Sequence, residues 1–189
     1  MGISMGSMRS LFRIRFMAWL TPLVCAMALA GEGVPATSAE FRAELVRQTV
    51  LDILSYTRWP NEPAELRLCI TAPTEYAGAL LTIRQQANGR LVGVHRYDAG
   101  DEALIQRCDV IYLGVLAQEQ RLSLFERLRG HAILSISEQS DECIADAVFC
   151  LKAGQDRVRF KVNLDALARS GVRVHPAVLK LARADEGAQ

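Results

Sequence analysis

Between residues 66 and 137, short apolar runs alternate with segments of helical pattern, and this alternation constrains the fold more than any other feature. The runs that predict strands are 66–71, 91–97, 109–114 and 132–137. The segments that predict helices are 75–86, 101–106 and 118–128. Strands joined by helices imply right-handed crossovers and a mainly parallel sheet. The run 109–114 is apolar on both faces, which favours a central strand.

The segments on either side complete a single α/β domain over residues 36–186. Thr37 and Glu40 form a capping-box pattern at the start of a helix that runs to about Tyr56. Its apolar face is predicted to contain Phe41, Leu45, Val46, Val50, Ile53 and Leu54. After residue 140 the pattern predicts a hairpin and two helices, in the segments 147–152, 157–163, 164–169 and 176–184.

The first thirty residues have the layout of a secretory signal. Three arginines between residues 9 and 15 precede the uncharged segment 16–30, which ends in Ala28-Leu29-Ala30. Fifteen apolar residues are short for a transmembrane helix, which needs about 20. We therefore predict an exported protein that is cleaved after residue 30, or as late as residue 39. A retained N-terminal anchor is the alternative.

Removal of residues 1–30 leaves four cysteines, Cys69, Cys108, Cys143 and Cys150. An even number in an exported chain is typical of disulfide bonds, and four cysteines allow three pairings. Cys69 lies on the first predicted strand and Cys108 just before the third, which favours the pair Cys69–Cys108. Cys143 and Cys150 are close enough for a small local loop. We interpret both pairs as structural, with a redox-switchable Cys143–Cys150 bridge as the alternative.

Charge and polar residue patterns argue against several function classes. A formal net charge of +1 provides no basic stripe for binding nucleic acid. His95, His131 and His175 lack the neighbouring ligands of a metal site, so no metal or cofactor is predicted. No Gly-x-Gly-x-x-Gly follows a predicted strand, and no nucleophile-elbow sequence surrounds Ser135 or Ser137. The sequence therefore predicts no catalytic residue.

Two segments suggest a binding pocket instead. The first helix ends at Tyr56, after which Arg58 and Trp59 precede a proline, and a later loop contains Arg173 and His175. If these segments converge, the two arginines and the histidine form a small cationic pocket beside the indole. Such a pocket suits a small anionic or aromatic molecule, or a carboxylate of a partner. The alternative is that Trp59 is a core residue and the cations are solvated.

Three segments together resemble the YfiR family of exported bacterial proteins. They are residues 56–60, residues 108–113, and the stretch 160–182 with its Phe-Lys-Val-Asn, Gly-Val-Arg-Val and Leu-Lys-Leu-Ala sequences. The resemblance covers essentially the whole mature domain, and the four cysteines fit the pseudomonad member of that family. Leu54 and Ser55 differ from the pattern, because family members more often have a second aromatic residue there.

This resemblance implies a regulator rather than an enzyme. Proteins of the family are periplasmic repressors that bind the periplasmic sensor domain of YfiN, an inner-membrane diguanylate cyclase. YfiB, an OmpA-like outer-membrane lipoprotein, sequesters the repressor and releases the cyclase. The implied output is control of cyclic-di-GMP and biofilm formation. A periplasmic small-molecule or redox sensor module is the alternative function.

A repressor of this kind needs an interface with apolar anchors and a charged rim. The C-terminal segment offers the candidate anchors, which are Leu164, Leu167, Val172, Val174, Val178 and Leu179. A homodimer is also predicted, with the amphipathic first helix as the candidate contact surface.

Overall fold

The computed structural model describes residues 37–71, 73–138 and 146–183. The predicted signal, the predicted domain boundaries at 36 and 186, and Cys143 lie outside these ranges. The helices are α1 (Ser38–Ser55), α2 (Leu104–Arg107), α3 (Gln118–Leu128), α4 (Leu164–Arg169) and α5 (Val178–Arg183). The strands are β1 (Thr57–Arg58), β2 (Glu65–Thr71), β3 (Leu91–Tyr97), β4 (Val110–Leu113), β5 (Leu134–Ser137), β6 (Phe149–Ala153), β7 (Val158–Val162) and β8 (Arg173–Val174).

Six of these strands form one sheet in the order β3-β2-β4-β5-β6-β7. The first five are parallel, and only β7 runs antiparallel to its neighbour. All four residues of β4 are buried, so the prediction of a mainly parallel α/β sheet with a central 109–114 strand is confirmed. The chain leaves β2 towards β3 and then crosses back to β4, so the strand order reverses between β2 and β4.

Each face of the sheet has its own apolar core. On the first face, side chains of α1 and α5 pack on Leu66, Leu68, Tyr112 and Phe149. On the second face, residues of α2 and α3 pack with Cys69, Ile111 and Leu113. Helices on both faces explain why the parallel strands are apolar without alternation.

The first helix confirms the capping box. The Thr37 hydroxyl accepts a hydrogen bond from Glu40 N at 3.3 Å, and Glu40 Oε2 accepts one from Thr37 N at 2.7 Å. Burial on the predicted apolar face begins at Val46 and continues to Leu54. Phe41 is 48% exposed, because it lies in the first turn, before the buried part of the face.

The helix predicted over 75–86 is wrong. Only a 3₁₀ turn forms, Ala79–Thr82, in which Leu80 is buried. Ala77, Leu80 and Ile83 are buried at a spacing of three, which matches three residues per turn rather than 3.6. A helix cannot continue, because Arg84 O accepts from Val92 N at 2.8 Å and Gln85 forms a bridge with Leu91.

The C-terminal half follows its prediction closely. The hairpin β6–β7 pairs Leu151 with Phe160 and Lys152 with Arg159. Helix α4 occupies 164–169, with the Asn163 side chain accepting from Ala166 N at 2.9 Å. Within the described residues, none of the helices is long and apolar enough to span a bilayer.

The disulfide Cys69–Cys108 is present and joins the second face of β2 to the C-cap residue of α2, which lies just ahead of β4. The strand-neighbour argument is therefore confirmed, because β2 and β4 pair directly. The pair Cys143–Cys150 involves a residue outside the described ranges and stays a prediction.

Candidate functional site

The two segments predicted to converge form a two-stranded antiparallel ribbon. In the β1–β8 pair, Thr57 is opposite Val174 and Arg58 is opposite Arg173. His175 N extends the pairing by donating to Tyr56 O at 2.8 Å. The sequence did not predict these strands, because two residues each are too few for a strand pattern. The ribbon nevertheless brings Arg58, Arg173 and His175 to one place.

Arg58 is held by the end of α1. Its Nη1 donates to Ser55 O at 2.8 Å and to Thr57 O at 2.9 Å. The positive charge therefore satisfies carbonyl oxygens at a helix C-terminus, where cations are favoured. This contact fixes the arginine at the base of the ribbon.

Arg173 is differently placed. It is exposed, and no hydrogen bond or ion pair with another described residue engages its guanidinium. Its strand partner is Arg58, so two cations lie directly opposite each other on an exposed ribbon. Like charges at such positions repel, which favours an anion between or beside them.

Two open cavities share both arginines. One, which we call the ribbon groove, has a volume of about 500 Å³ and is lined by Ser55, Tyr56, Arg58, Arg173, Val174 and His175. The other has about 440 Å³ and is lined by Arg58, Trp59, Pro60, Glu62, Gly171 and Arg173. Glu62 makes the second cavity partly acidic. Its hydrogen bond to Arg90, helped by the charge of Arg58, lowers the pKa of the Glu62 carboxyl below its usual value.

The aromatic wall of the ribbon groove is Tyr56 rather than Trp59. The Tyr56 and His175 rings lie 6.3 Å apart between centroids, with planes 34° apart. His175 Nδ1 accepts a hydrogen bond from Ala177 N at 3.1 Å. In the neutral imidazole this contact assigns the proton to Nε2, which can then donate to a ligand.

Trp59 is buried as a core residue, which is the alternative that the sequence left open. It is 4% exposed, and its Nε1 donates to Asp109 O at 3.0 Å. The buried indole requires this partner for its N–H. Trp59 is one of the residues that line the second cavity, and it is absent from the lining of the ribbon groove.

The six predicted interface residues divide into three groups. Leu164 is 64% exposed. Leu167, Val174 and Leu179 are partly buried and pack against the core of the first face. Val172 and Val178 are buried members of that core and are not surface anchors in this fold.

The place where a doubly wound sheet usually binds its ligand is filled in this protein. That place is the crevice at the carboxyl ends of the strands where the strand order reverses, here between β2 and β4. Val115 N donates to Pro73 O at 2.7 Å, and Gly114 N donates to Thr71 O at 3.2 Å. A Cβ on Gly114 would lie only 1.7 Å from Pro73 O, so two backbone segments close the crevice.

A carboxylate completes this filling. Glu138, just after β5, is 8% exposed and accepts from Glu75 N at 2.7 Å, Tyr76 N at 3.2 Å and the Tyr112 hydroxyl at 3.1 Å. Burial raises the pKa of the Glu138 carboxyl, with a further contribution from the charge of Glu75. The chain thus places its own anion where other folds of this class bind a phosphate or a carboxylate.

The described residues bring no set of metal ligands together. Among them, no three His, Cys, Asp or Glu side chains come close enough to hold a metal ion. Ser135 is buried, and its hydroxyl accepts from Val148 N at 3.0 Å, which is a structural contact. The ribbon groove brings Arg58, Arg173 and His175 together at an open cavity, and these groups suit an anionic ligand.

Comparison with protein families gives one match across this architecture. A family model described as YfiR/HmsC-like matches residues 43–183. The match starts within α1 and ends at the last residue of α5, so it includes both sheets and all of the residues that line the ribbon groove.

Proposed function

The chain belongs to the YfiR/HmsC-like family, and from this premise we propose that it is a periplasmic negative regulator of an inner-membrane diguanylate cyclase. The family is regulatory rather than catalytic. Membership in this family is consistent with a role for the chain as a periplasmic regulator of cyclic-di-GMP signalling. The observation that carries the proposal is the family match over 43–183. The ribbon groove and the closed crevice support it, because they suit binding better than catalysis.

In this proposal the regulator binds the periplasmic sensor domain of a YfiN-like cyclase. It represses by differential affinity: it must bind the inactive form more tightly than the active form, by about 2.7 kcal/mol for a hundredfold shift. A YfiB-like, OmpA-type outer-membrane lipoprotein then relieves repression by binding the regulator, which lowers its concentration by mass action.

The binding surface that we propose combines Leu164 with the ribbon groove. Leu164 supplies exposed apolar area at the start of α4. Leu167 of the same helix and Val174 of β8 are partly buried and can add to this area. Arg173 and His175 supply the polar rim that a protein interface of this kind needs. The predicted homodimer stays a separate prediction, which sedimentation of the mature domain tests.

Deletion of the gene tests the regulatory role. Cyclic-di-GMP should rise in cells that retain the cyclase and stay at the parental level in cells that lack both proteins. Expression of the Leu164→Asp variant, a change at an exposed position, should restore repression less well than the wild type. Unchanged cyclic-di-GMP after deletion in cyclase-positive cells would contradict the proposal.

A second candidate function is a small-molecule sensor, and a specific observation favours it. The ribbon groove combines an Arg173 guanidinium that no described residue engages, a His175 ring whose Nε2 can donate, and the Tyr56 ring as an apolar wall. These groups suit a small molecule with an anionic group and an aromatic ring, because guanidinium pairs with carboxylate or phosphate and an aromatic wall stacks a ring.

Calorimetric titration of the mature domain with aromatic carboxylates and nucleotides tests this function. We expect heat of binding that is lost in Arg173→Gln and retained in Arg96→Gln, an exposed arginine on β3 away from the ribbon. If no compound of either class binds, or if both variants lose binding equally, the groove is ordinary surface. A redox response is the related alternative, and it depends on the predicted Cys143–Cys150 pair.

A further inference from the structure

The outer face of the β6–β7 hairpin is strongly cationic. Val158, Phe160 and Val162 of β7 point to the core of the first face, so the residues between them lie on the other face. That face contains Lys152 of β6 and Arg159 and Lys161 of β7, and neither strand contains an acidic residue. Asp156, in the turn, pairs with Arg157 at 3.2 Å.

Two of these cations repel each other directly. Lys152 and Arg159 are register partners across the two antiparallel strands, and both are exposed. Among the described residues, no hydrogen bond or ion pair engages either side chain. Like charges directly opposite in a sheet are destabilising, so this pair has a cost in the isolated protein.

Protection of the sheet edge does not explain the pair. Charged residues on an edge strand prevent pairing with other chains, and this reason suffices for Arg159 and Lys161 on β7. Lys152, however, lies on β6, which is not the edge strand, since β5 pairs with its first two residues and β7 with all five. Protection of the edge strand β7 does not by itself require a cation on its neighbour, so another partner of the face has to be considered.

We propose that this face, which we call the hairpin face, docks on the surface of an anionic lipid bilayer. The face consists of two adjacent strands and presents cations without exposed apolar residues, since the exposed large apolar side chains of the described residues all lie on other elements. Protein interfaces need apolar or aromatic anchors at their centre, whereas a phosphate-bearing bilayer surface attracts cations alone. The proposal is independent of the proposed function, because it rests on charge and register only.

Co-sedimentation of the mature protein with vesicles tests the proposal. Vesicles of phosphatidylglycerol and phosphatidylcholine in roughly equal parts should bind the protein at low salt, and vesicles of phosphatidylcholine should not. The double variant Lys152→Gln, Arg159→Gln should bind about thirtyfold more weakly, at about fivefold for each cation removed near the surface. The control Arg96→Gln, Lys180→Gln removes one arginine and one lysine at exposed positions elsewhere and should bind like the wild type.

Three results would overturn the proposal. One is no binding to the anionic vesicles at low salt, and another is equal weakening by both double variants, which would indicate net charge alone. The third is retention on immobilised polyglutamate, lost in the Lys152→Gln, Arg159→Gln variant, without binding to vesicles, which would assign the face to an acidic protein. Circular dichroism spectra of both variants should match the wild type, because all four positions are exposed.

Discussion

The carboxyl edge of the parallel sheet and the ribbon groove differ in how their charged groups are satisfied. At the edge, the Glu138 carboxylate accepts hydrogen bonds from two backbone N–H groups and one hydroxyl, and the backbone of Pro73 closes over Gly114. In the groove, the Arg173 guanidinium meets no described partner, and Arg58 lies opposite it. One region is closed by the chain itself, and the other is open to a ligand.

This difference separates stability from binding. A doubly wound sheet normally keeps its reversal point open for a ligand, and here the same point is built as part of the core. The cations that we propose for ligand binding lie instead on the two-stranded ribbon beside the end of α1. Substitutions at the sheet should therefore lower the free energy of unfolding, whereas substitutions in the groove should leave it unchanged and weaken binding.

The largest expected effect on the sheet side is loss of the Cys69–Cys108 bond. Because the bonded cysteines have a sequence separation of 39, the loop-entropy relation gives about 4 kcal/mol for Cys69→Ser with Cys108→Ser. The predicted Cys143–Cys150 bond closes a much shorter loop, so its loss in Cys143→Ser with Cys150→Ser should cost about 2.5 kcal/mol. Urea unfolding measures both, and equal midpoints for the two double variants would contradict the ranking.

Gly114→Ala should rank next, at about 3 kcal/mol, because its Cβ would overlap a backbone oxygen that cannot rotate away. The matched control is Gly100→Ala, whose Cβ would have no neighbour within 4 Å and whose backbone conformation suits an L-residue. Thermal unfolding of the two variants compares them. A stability of Gly114→Ala equal to that of Gly100→Ala would show that the crevice is not closed as described.

Two arginines sharpen the comparison directly. Arg67 makes a bidentate ion pair with buried Asp109, at 2.8 and 2.9 Å, so Arg67→Gln leaves a carboxylate partly unpaired and should cost about 2 kcal/mol. Arg173→Gln should change the unfolding free energy by less than about 0.5 kcal/mol, as for most exposed positions. Chemical unfolding of both variants is the measurement. An equal loss of stability would remove the distinction between the two regions.

The smallest effect is a change in pH dependence. The pKa of Glu138 is raised in the folded protein. At pH values above the ordinary pKa of a carboxyl group, the folded state therefore binds more protons than the unfolded state. This group therefore contributes stability at low pH that is lost as the pH rises through its folded pKa. In Glu138→Gln this loss of stability should be absent. As the pH rises, the unfolding free energy of the wild type should therefore fall relative to that of the variant.

Urea unfolding of both proteins from about pH 4 to about pH 8 measures this difference. Arg47 and Arg90 lower the pKa values of Glu44 and Glu62, so these two groups make stability rise with pH. This contribution is the same in wild type and variant and cancels in the difference. A difference that moves in favour of the wild type as pH rises would show that the hydrogen bonds to Glu138 outweigh its burial.

The sequence predicted the elements whose signal is local. The capping box at Thr37, helix 118–128 and the β6–β7 hairpin follow from residue pattern alone, and the structure has them. The pair Cys69–Cys108 followed from one further step, the expected neighbourhood of two parallel strands. Such features need few contacts between distant parts of the chain.

The features that were missed depend on tertiary contacts. Residues 75–86 have a helical composition, but pairing of Arg84 with Val92 and burial at a spacing of three produce a 3₁₀ turn. From the sequence alone, Trp59 fits a ligand-binding residue and a core residue equally well. The hydrogen bond from its indole to Asp109 O, 50 positions away in sequence, could not be predicted. The closed crevice could not be predicted, because Gly114 and Pro73 are 41 positions apart and neither has a distinctive neighbour.

Direct titration of the mature domain with the purified periplasmic domain of the cyclase tests the proposed repressor–cyclase complex. We expect a stable complex that Arg173→Gln or Leu164→Asp weakens and that Gly100→Ala leaves intact. Absence of a complex between two folded proteins, at concentrations well above those in the periplasm, would contradict it.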